Sequence, residues 1–250
     1  MSHIHLPDGV LPWWLWVSGY LAIALLLVIS FYLARIWNKG AQTGQKRMAL
    51  LGIFAALMIL VMSIEIPGVP YHVNLSVVTG IVLGPPLAML AAFIVNLFLA
   101  FLGHGGITVV GLNALVMAVE ILAGYGMFRL LTTIRFPLAI ATFLAVVIGL
   151  GCGTLASYGV IAVSAPTINM SLSAEGRPAE QSAHLREATG HKHEDDSMER
   201  ATQGGHLNLR RLAIIMFGFG AIGWVLEGIL SAVILVGLRR IFPEIIAARE

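Results

Sequence analysis

Charged residues are scarce in this sequence. Only 11% of its 250 residues are Asp, Glu, Lys or Arg, whereas 58% are hydrophobic. A soluble globular domain carries about 25% charged residues, so this composition excludes an ordinary soluble domain. The apolar residues are gathered in runs of about 20, long enough to cross a hydrocarbon core of ~30 Å as a helix. We therefore predict an all-α integral membrane protein that crosses the cell membrane several times.

Cysteine and several catalytic motifs are also lacking. The one cysteine, Cys152, lies inside an apolar run, which excludes a disulfide framework and a Cys-x-x-Cys metal site. The GxxxxGK[ST], HExxH and GxSxG motifs do not occur, so we expect neither ATP binding through a P-loop nor hydrolase chemistry. We also expect no paired carboxylates within the spans. The net charge of +2 comes mostly from loop ends and indicates no nucleic-acid partner.

Seven apolar segments are present, and the third is too short to cross a membrane alone. Pro85-Pro86 separates it from the fourth, and proline disrupts a continuing helix. The region 74–103 is therefore either one long kinked helix or a short helix that turns back into another. The segments are 13–36, 48–66, 74–84, 87–103, 107–131, 137–163 and 210–238.

The basic residues predict the orientation, because cytoplasmic loops carry more Lys and Arg. None precedes Arg35, and four basic residues lie at or after the end of the first span. Seven segments then place the N-terminus outside and the C-terminus in the cytoplasm. No basic stretch of a cleavable signal peptide opens the chain, so we expect the mature N-terminus to lie close to the encoded one. All eight histidines then lie on the outer side.

This topology predicts three regions. Residues 1–163 form a short N-terminal segment and the first six apolar segments, and 209–250 form the last helix with a cytoplasmic tail. Between them, residues 164–208 are polar and contain four histidines. Their low hydrophobicity predicts a flexible outer loop, which either collects metal weakly or serves as a plain linker.

The opening stretch "MSHIHLPDGVLPWW" suggests a metal site. Imidazole suits Ni, Co, Cu and Zn. An amine, a deprotonated amide and an imidazole close in sequence can chelate one ion. A second imidazole can then complete a planar set of four ligands. Pro7 and Asp8-Gly9 are typical of a fixed turn, and three nearby tryptophans suit a membrane interface. The alternative is that His3 and His5 are solvated and bind nothing.

Other polar residues lie at or within the spans. "YHVN" places His72 and Asn74 at a span boundary, where an ordinary polar loop is the alternative to a binding role. Asn113 and Glu120 share one helix face, and Glu227 lies in the last span. Polar groups within a membrane usually face the bundle interior, where they serve either helix packing or a site.

Two pairs of small residues permit close approach of helices. They are Gly52-xxx-Ala56 and Gly149-xxx-Gly153. Each pair is explained either by packing inside the bundle or by docking of a partner helix.

Four stretches together resemble one family. "HLPDGVLPWW" is similar to the "HIPDGxLP" opening of the CbiM/NikM family, the substrate-capturing membrane components of energy-coupling-factor cobalt and nickel importers. "PGVPYHVNLSVVTGIVLGPPLAML", "FLGHGGITVVGLNAL" and "LEGILSAVILVGLRRIFPEII" continue the resemblance in order. It covers most of residues 5–163 and 210–246.

The resemblance implies a compact bundle of about seven transmembrane helices, plugged at its outer face by the N-terminal segment. It also implies a planar metal site made of the terminal amine, the amide and imidazole of the second residue, and a later histidine. By motif these histidines are His5 and His72, with His104, Asn113 and Asn74 as candidates around the site. "MSHI" departs from the family, in which histidine follows Met1 directly. If Met1 is removed, Ser2 supplies the amine and His3 becomes the second residue.

The resemblance further implies a transporter component rather than an enzyme, with Ni²⁺ or Co²⁺ as substrate and no catalytic cofactor. Its partners would be a transmembrane coupling subunit, cytoplasmic ATPase subunits and, in some systems, a small accessory membrane subunit. Docking would use small-residue surfaces such as Gly52 and Ala56. The alternatives are a gradient-driven metal permease and, less well supported, a membrane metalloenzyme.

Overall fold

Seven α-helices account for most of the part of the chain that this computed structural model describes, residues 11–37, 44–63, 72–103, 105–174, 202–203 and 206–241. A short 3₁₀ turn, Ile107–Val109, precedes the fifth helix. Strands β1 (Thr202–Gln203) and β2 (His206–Leu207) pair antiparallel within the predicted outer loop. The helices are α1 (Trp13–Trp37), α2 (Gly44–Met62), α3 (Ser76–Leu83), α4 (Pro85–Phe101), α5 (Val110–Thr133), α6 (Leu138–Ala174) and α7 (Leu209–Ile241).

Four of the described helical segments are long and apolar enough to cross a membrane. Two further helices, α2 and α4, contain shorter apolar stretches. The prediction of a helical, multi-pass membrane protein is confirmed, whereas its orientation stays a prediction. The four long segments are Trp13–Tyr32, Ile107–Thr133, Leu138–Thr167 and Leu209–Ile241.

The region 74–103 forms two helices, which decides between the alternatives left by the sequence. Gly84 joins them with φ 85° and ψ 155°, a conformation that favours glycine. Pro85 and Pro86 occupy the first turn of α4, where a missing N–H costs little. All eight residues of α3 are buried, and eight residues span only about 12 Å. As the length of the third segment predicts, α3 is too short to cross the membrane alone, and it is a short helix enclosed by the bundle.

Helix α6 is longer than predicted. It continues beyond 163, where we placed the start of the outer loop, through Pro166 to Ala174. Proline is tolerated in membrane helices because neighbouring groups satisfy the freed carbonyl.

A hydrophobic cluster shows which helix ends lie together at one end of the bundle. It joins the start of α1, the start of α5, the end of α6 and the start of α7, and we call it the end cluster. The end of the N-terminal segment and the connection between α6 and α7 therefore lie at the same end of the molecule. The cluster consists of Leu11, Leu15, Val109, Leu112, Ile161, Ala165, Leu212 and Met216.

Candidate metal centre

Two buried carboxylates converge on the segment that leads into α3. Glu227 of α7 accepts the backbone N–H of Leu75 at Oε1 (2.9 Å) and that of Asn74 at Oε2 (3.2 Å). Glu120 of α5 accepts the Asn74 Nδ2 donor (2.8 Å) and the Ser76 hydroxyl (2.7 Å), both at Oε2. Asn74 Oδ1 in turn accepts the N–H of Ser76 (2.8 Å). Asn74 therefore connects both carboxylates to the start of α3.

The burial of α3 explains why carboxylates lie here. The first N–H groups of a helix have no partner within the helix, and at a buried helix end bulk water cannot replace it. Anions are favoured at this end by the helix dipole as well. The first N–H of α3, that of Ser76, is accepted by Asn74 Oδ1, and Glu227 accepts the N–H groups of Asn74 and Leu75 just before the helix.

The backbone at this point has an unusual conformation. Leu75 has φ 55° and ψ 18°, the left-handed region that bulky residues rarely adopt. Such a residue persists when the surrounding contacts determine its conformation. Hydrogen bonds to Asn74, Leu75 and Ser76 provide those contacts.

Two glycines of α6 lie where any side chain would collide with Glu120. A Cβ atom at Gly153 would overlap Cγ and Oε1 of Glu120. A Cβ atom at Gly149 would lie 2.8 Å from the backbone oxygen of Glu120 and 2.7 Å from Cγ2 of Val77. The Gly149-xxx-Gly153 pair therefore serves packing inside the bundle.

The predicted site residues are only partly covered by the structure. His72 precedes Asn74 by two positions and is half-buried, with its Nδ1 atom buried. Asn113 is buried on α5, about 10 Å along the helix axis from Glu120. Gly52 and Ala56 are exposed on α2. Met1, Ser2, His3, His5 and His104 lie outside the described residues, so their roles stay predictions.

The expectation of no paired carboxylates within the spans is wrong. Glu120 and Glu227 come from different helices and both accept hydrogen bonds from Asn74, Glu120 from the side-chain amide and Glu227 from the backbone N–H. Spacing within one helix could not reveal this pairing. The available signal was the costly acidic residue in each of two otherwise apolar helices, since such residues face the interior and find partners.

The described residues do not form a complete metal site. They contain no group of three or more His, Cys, Asp or Glu that could hold an ion. A metal at His72 would therefore need donors from beyond these residues. What the described part supplies is one half-buried imidazole on a segment with a fixed backbone.

A family model and several relatives match the chain. Residues 5–245 match the CbiM model, which describes a cobalt uptake substrate-specific transmembrane region. The chain is 31% identical over 160 residues to the cobalt transport protein CbiM of Chlorobium limicola, covering 58% of each protein. It is 32% identical over 152 residues to a protein of Archaeoglobus fulgidus named as a fused nickel transport protein, NikMN. That match covers 59% of this chain and 48% of the relative, so both matches span less than two thirds of the relatives.

A solved structure shares the fold. A crystal structure of a transition metal transporter superposes with a TM-score of 0.68 at 17% sequence identity. The superposition covers 96% of this chain and 95% of that one.

Proposed function

Because the chain belongs to the CbiM family, we propose that it captures Co²⁺ or Ni²⁺ at the outer face of the membrane for uptake. The observation that carries this proposal is the position of His72. His72 is half-buried with its Nδ1 atom buried, and it directly precedes a buried segment whose backbone is held by Glu227. Imidazole nitrogen suits both metals. The named functions of the relatives, cobalt transport and nickel transport, agree with this choice.

The remaining donors come from the N-terminal segment in this proposal. They are the terminal amine of Met1 or Ser2 and the imidazole of His3 or His5. The distances allow it. Leu11 and Met216 belong to the same end cluster, and Met216 lies about 16 Å along α7 from Glu227, which binds the backbone just before α3. Ten residues can span up to about 33 Å, so residues 1–10 can reach His72.

Energy for uptake comes from partner subunits in this proposal. The sequence has no P-loop motif, so ATP hydrolysis would belong to cytoplasmic ATPases linked through a transmembrane coupling subunit. The α2 surface around Gly52 and Ala56 is the docking face that we propose for that subunit. Gly52 is exposed, and a Cβ atom there would meet nothing within 4 Å.

Metal titration of the purified protein tests the capture site. We expect His72→Ala to weaken Ni²⁺ and Co²⁺ binding at least about 100-fold. Removing a metal ligand should lower the affinity at least as much as removing a residue that hydrogen-bonds to a ligand. His193→Ala, a histidine substitution in the segment between α6 and α7, is the matched control and should bind as the unsubstituted protein does. Equal affinities in the His72 and His193 variants would refute the site.

Transport by the chain alone tests the dependence on partners. Vesicles that contain only this protein should take up no metal under a proton gradient. Uptake under those conditions would instead establish a gradient-driven permease. Metal analysis of protein purified from its own host, with an absorption spectrum, decides between nickel and cobalt.

A further inference from the structure

The segment 74–76 is the structural link between α5 and α7. Both helices pack extensively against α6, whereas neither packs extensively against the other. Glu120 of α5 nevertheless binds Asn74 and Ser76, and Glu227 of α7 binds Asn74 and Leu75, so that Asn74 binds both carboxylates. The position of this segment is therefore set by two helices at once.

We infer that Glu120 and Glu227 are positioning residues for metal capture, which hold His72 in its binding position through the 74–76 segment. This inference rests on the proposed function, because it takes His72 as a metal ligand. It adds a consequence for release of the ion. Metal affinity depends on how α5 and α7 are arranged, so a shift of α7 relative to α5 would loosen the His72 segment.

The geometry favours a positioning role over simple burial of two acids. Glu227 uses both oxygens on backbone N–H groups, which fixes the main chain two and three residues after His72. Glu120 fixes the side chains of Asn74 and Ser76 at a single oxygen. The left-handed conformation of Leu75 would relax without these bonds. The chain that precedes residues 74–76 would then take a new direction, and His72 would move with it.

The test compares Glu120→Gln and Glu227→Gln with an unrelated buried polar residue. Asn96→Ala is the matched control, because Asn96 is buried on α4 and bonds to Ala92 O and Met117 Sδ rather than to the 74–76 segment. We expect each glutamine variant to bind Ni²⁺ about 10- to 100-fold more weakly. The absorption spectrum of Ni²⁺ at saturation should shift as well, because the ligand geometry changes. Asn96→Ala should keep the affinity and the spectrum even where its thermal unfolding midpoint falls.

Glu227→Asp distinguishes the effect of the carboxylate's position from the effect of its charge. It remains informative if a glutamine variant does not fold. It keeps the negative charge but withdraws the carboxylate by one methylene group. Weaker Ni²⁺ binding with a shifted spectrum supports positioning.

Two contrary results are distinct. If His72→Ala loses binding while the glutamate variants match the unsubstituted protein in affinity and spectrum, the positioning role is refuted and the proposed function stands. If His72→Ala itself binds normally, the proposed site fails.

Discussion

The two small-residue pairs of this protein look alike in sequence and differ in structure. Gly149 and Gly153 lie against α5, where the backbone and side chain of Glu120 fill the space that a methyl group would need. Gly52 and Ala56 are exposed on α2, and a Cβ atom at Gly52 meets nothing within 4 Å. The shared spacing permits a close approach in both places. The spacing does not indicate which helix approaches. Only the fold shows that one pair lies in a contact inside the bundle and the other on its exposed surface.

The difference follows from what each position must accommodate. In lipid, helices associate through packing and hydrogen bonds rather than through the hydrophobic effect. The inner pair lets a polar residue enter the bundle close to α6 and reach Asn74. The outer pair leaves a shallow surface among apolar neighbours such as Ile53 and Leu60, both exposed. The inner pair therefore serves packing inside the fold, whereas the outer pair lies on the exposed surface that we propose for docking of a partner helix.

The largest expected effect comes from filling the contact inside the bundle with Gly153→Ala. The added methyl overlaps Glu120, so we expect a loss of about 3 kcal/mol in stability, the upper end for overpacking, together with weaker metal binding. Gly159→Ala is the control on the same helix, because Gly159 is exposed and its Cβ would meet nothing within 4 Å. Alanine there should stabilise the helix by roughly 0.5–1 kcal/mol. Unfolding midpoints in detergent measure both, and equal midpoints would contradict the close packing at Gly153.

A double-mutant cycle sharpens this prediction. If Gly153 exists to admit Glu120, Gly153→Ala should cost less in a Glu120→Ala background, because the new methyl occupies vacated space. We expect a coupling energy of about 1–2 kcal/mol, as for residues in direct contact. The four unfolding free energies give this value. Additive effects would mean that another neighbour, not Glu120, requires the glycine.

The sequence predicts the helices well because their signal is local. Long apolar runs locate α1, α5, α6 and α7, and the ends of α1, α5 and α7 lie within a few residues of those predicted, whereas α6 continues eleven residues beyond its predicted end. The region around Pro85-Pro86 could not be decided locally, because two prolines permit either a kink or a new helix. The glycine conformation at Gly84 and the burial of α3 decide it, and burial depends on contacts with distant helices.

The site is predictable in its parts but not in its arrangement. His72, Asn74, Glu120 and Glu227 each stand out as polar residues in or beside apolar segments. The meeting of Asn74, Glu120 and Glu227 at the start of α3 depends on how α5 and α7 pack on α6, which no spacing within one helix encodes. The role of Gly153 is hidden for the same reason.

The smallest effect on the fold is expected at the outer pair. Gly52→Leu and Ala56→Leu place larger side chains where the described chain has room, so stability should change by no more than about 0.5 kcal/mol. Metal affinity should also stay unchanged. Recovery of the proposed coupling and ATPase subunits with the purified protein should fall sharply, because a partner helix could no longer approach closely.

Another exposed glycine provides the control for the outer pair. Gly126 on α5 also has nothing within 4 Å of its Cβ position, so Gly126→Leu adds the same bulk to a different face. This variant should retain the partners. If all three leucine variants retain them, α2 is not the docking face. If Gly52→Leu alters metal affinity without altering assembly, the separation between an inner pair that serves the site and an outer pair that serves assembly is wrong.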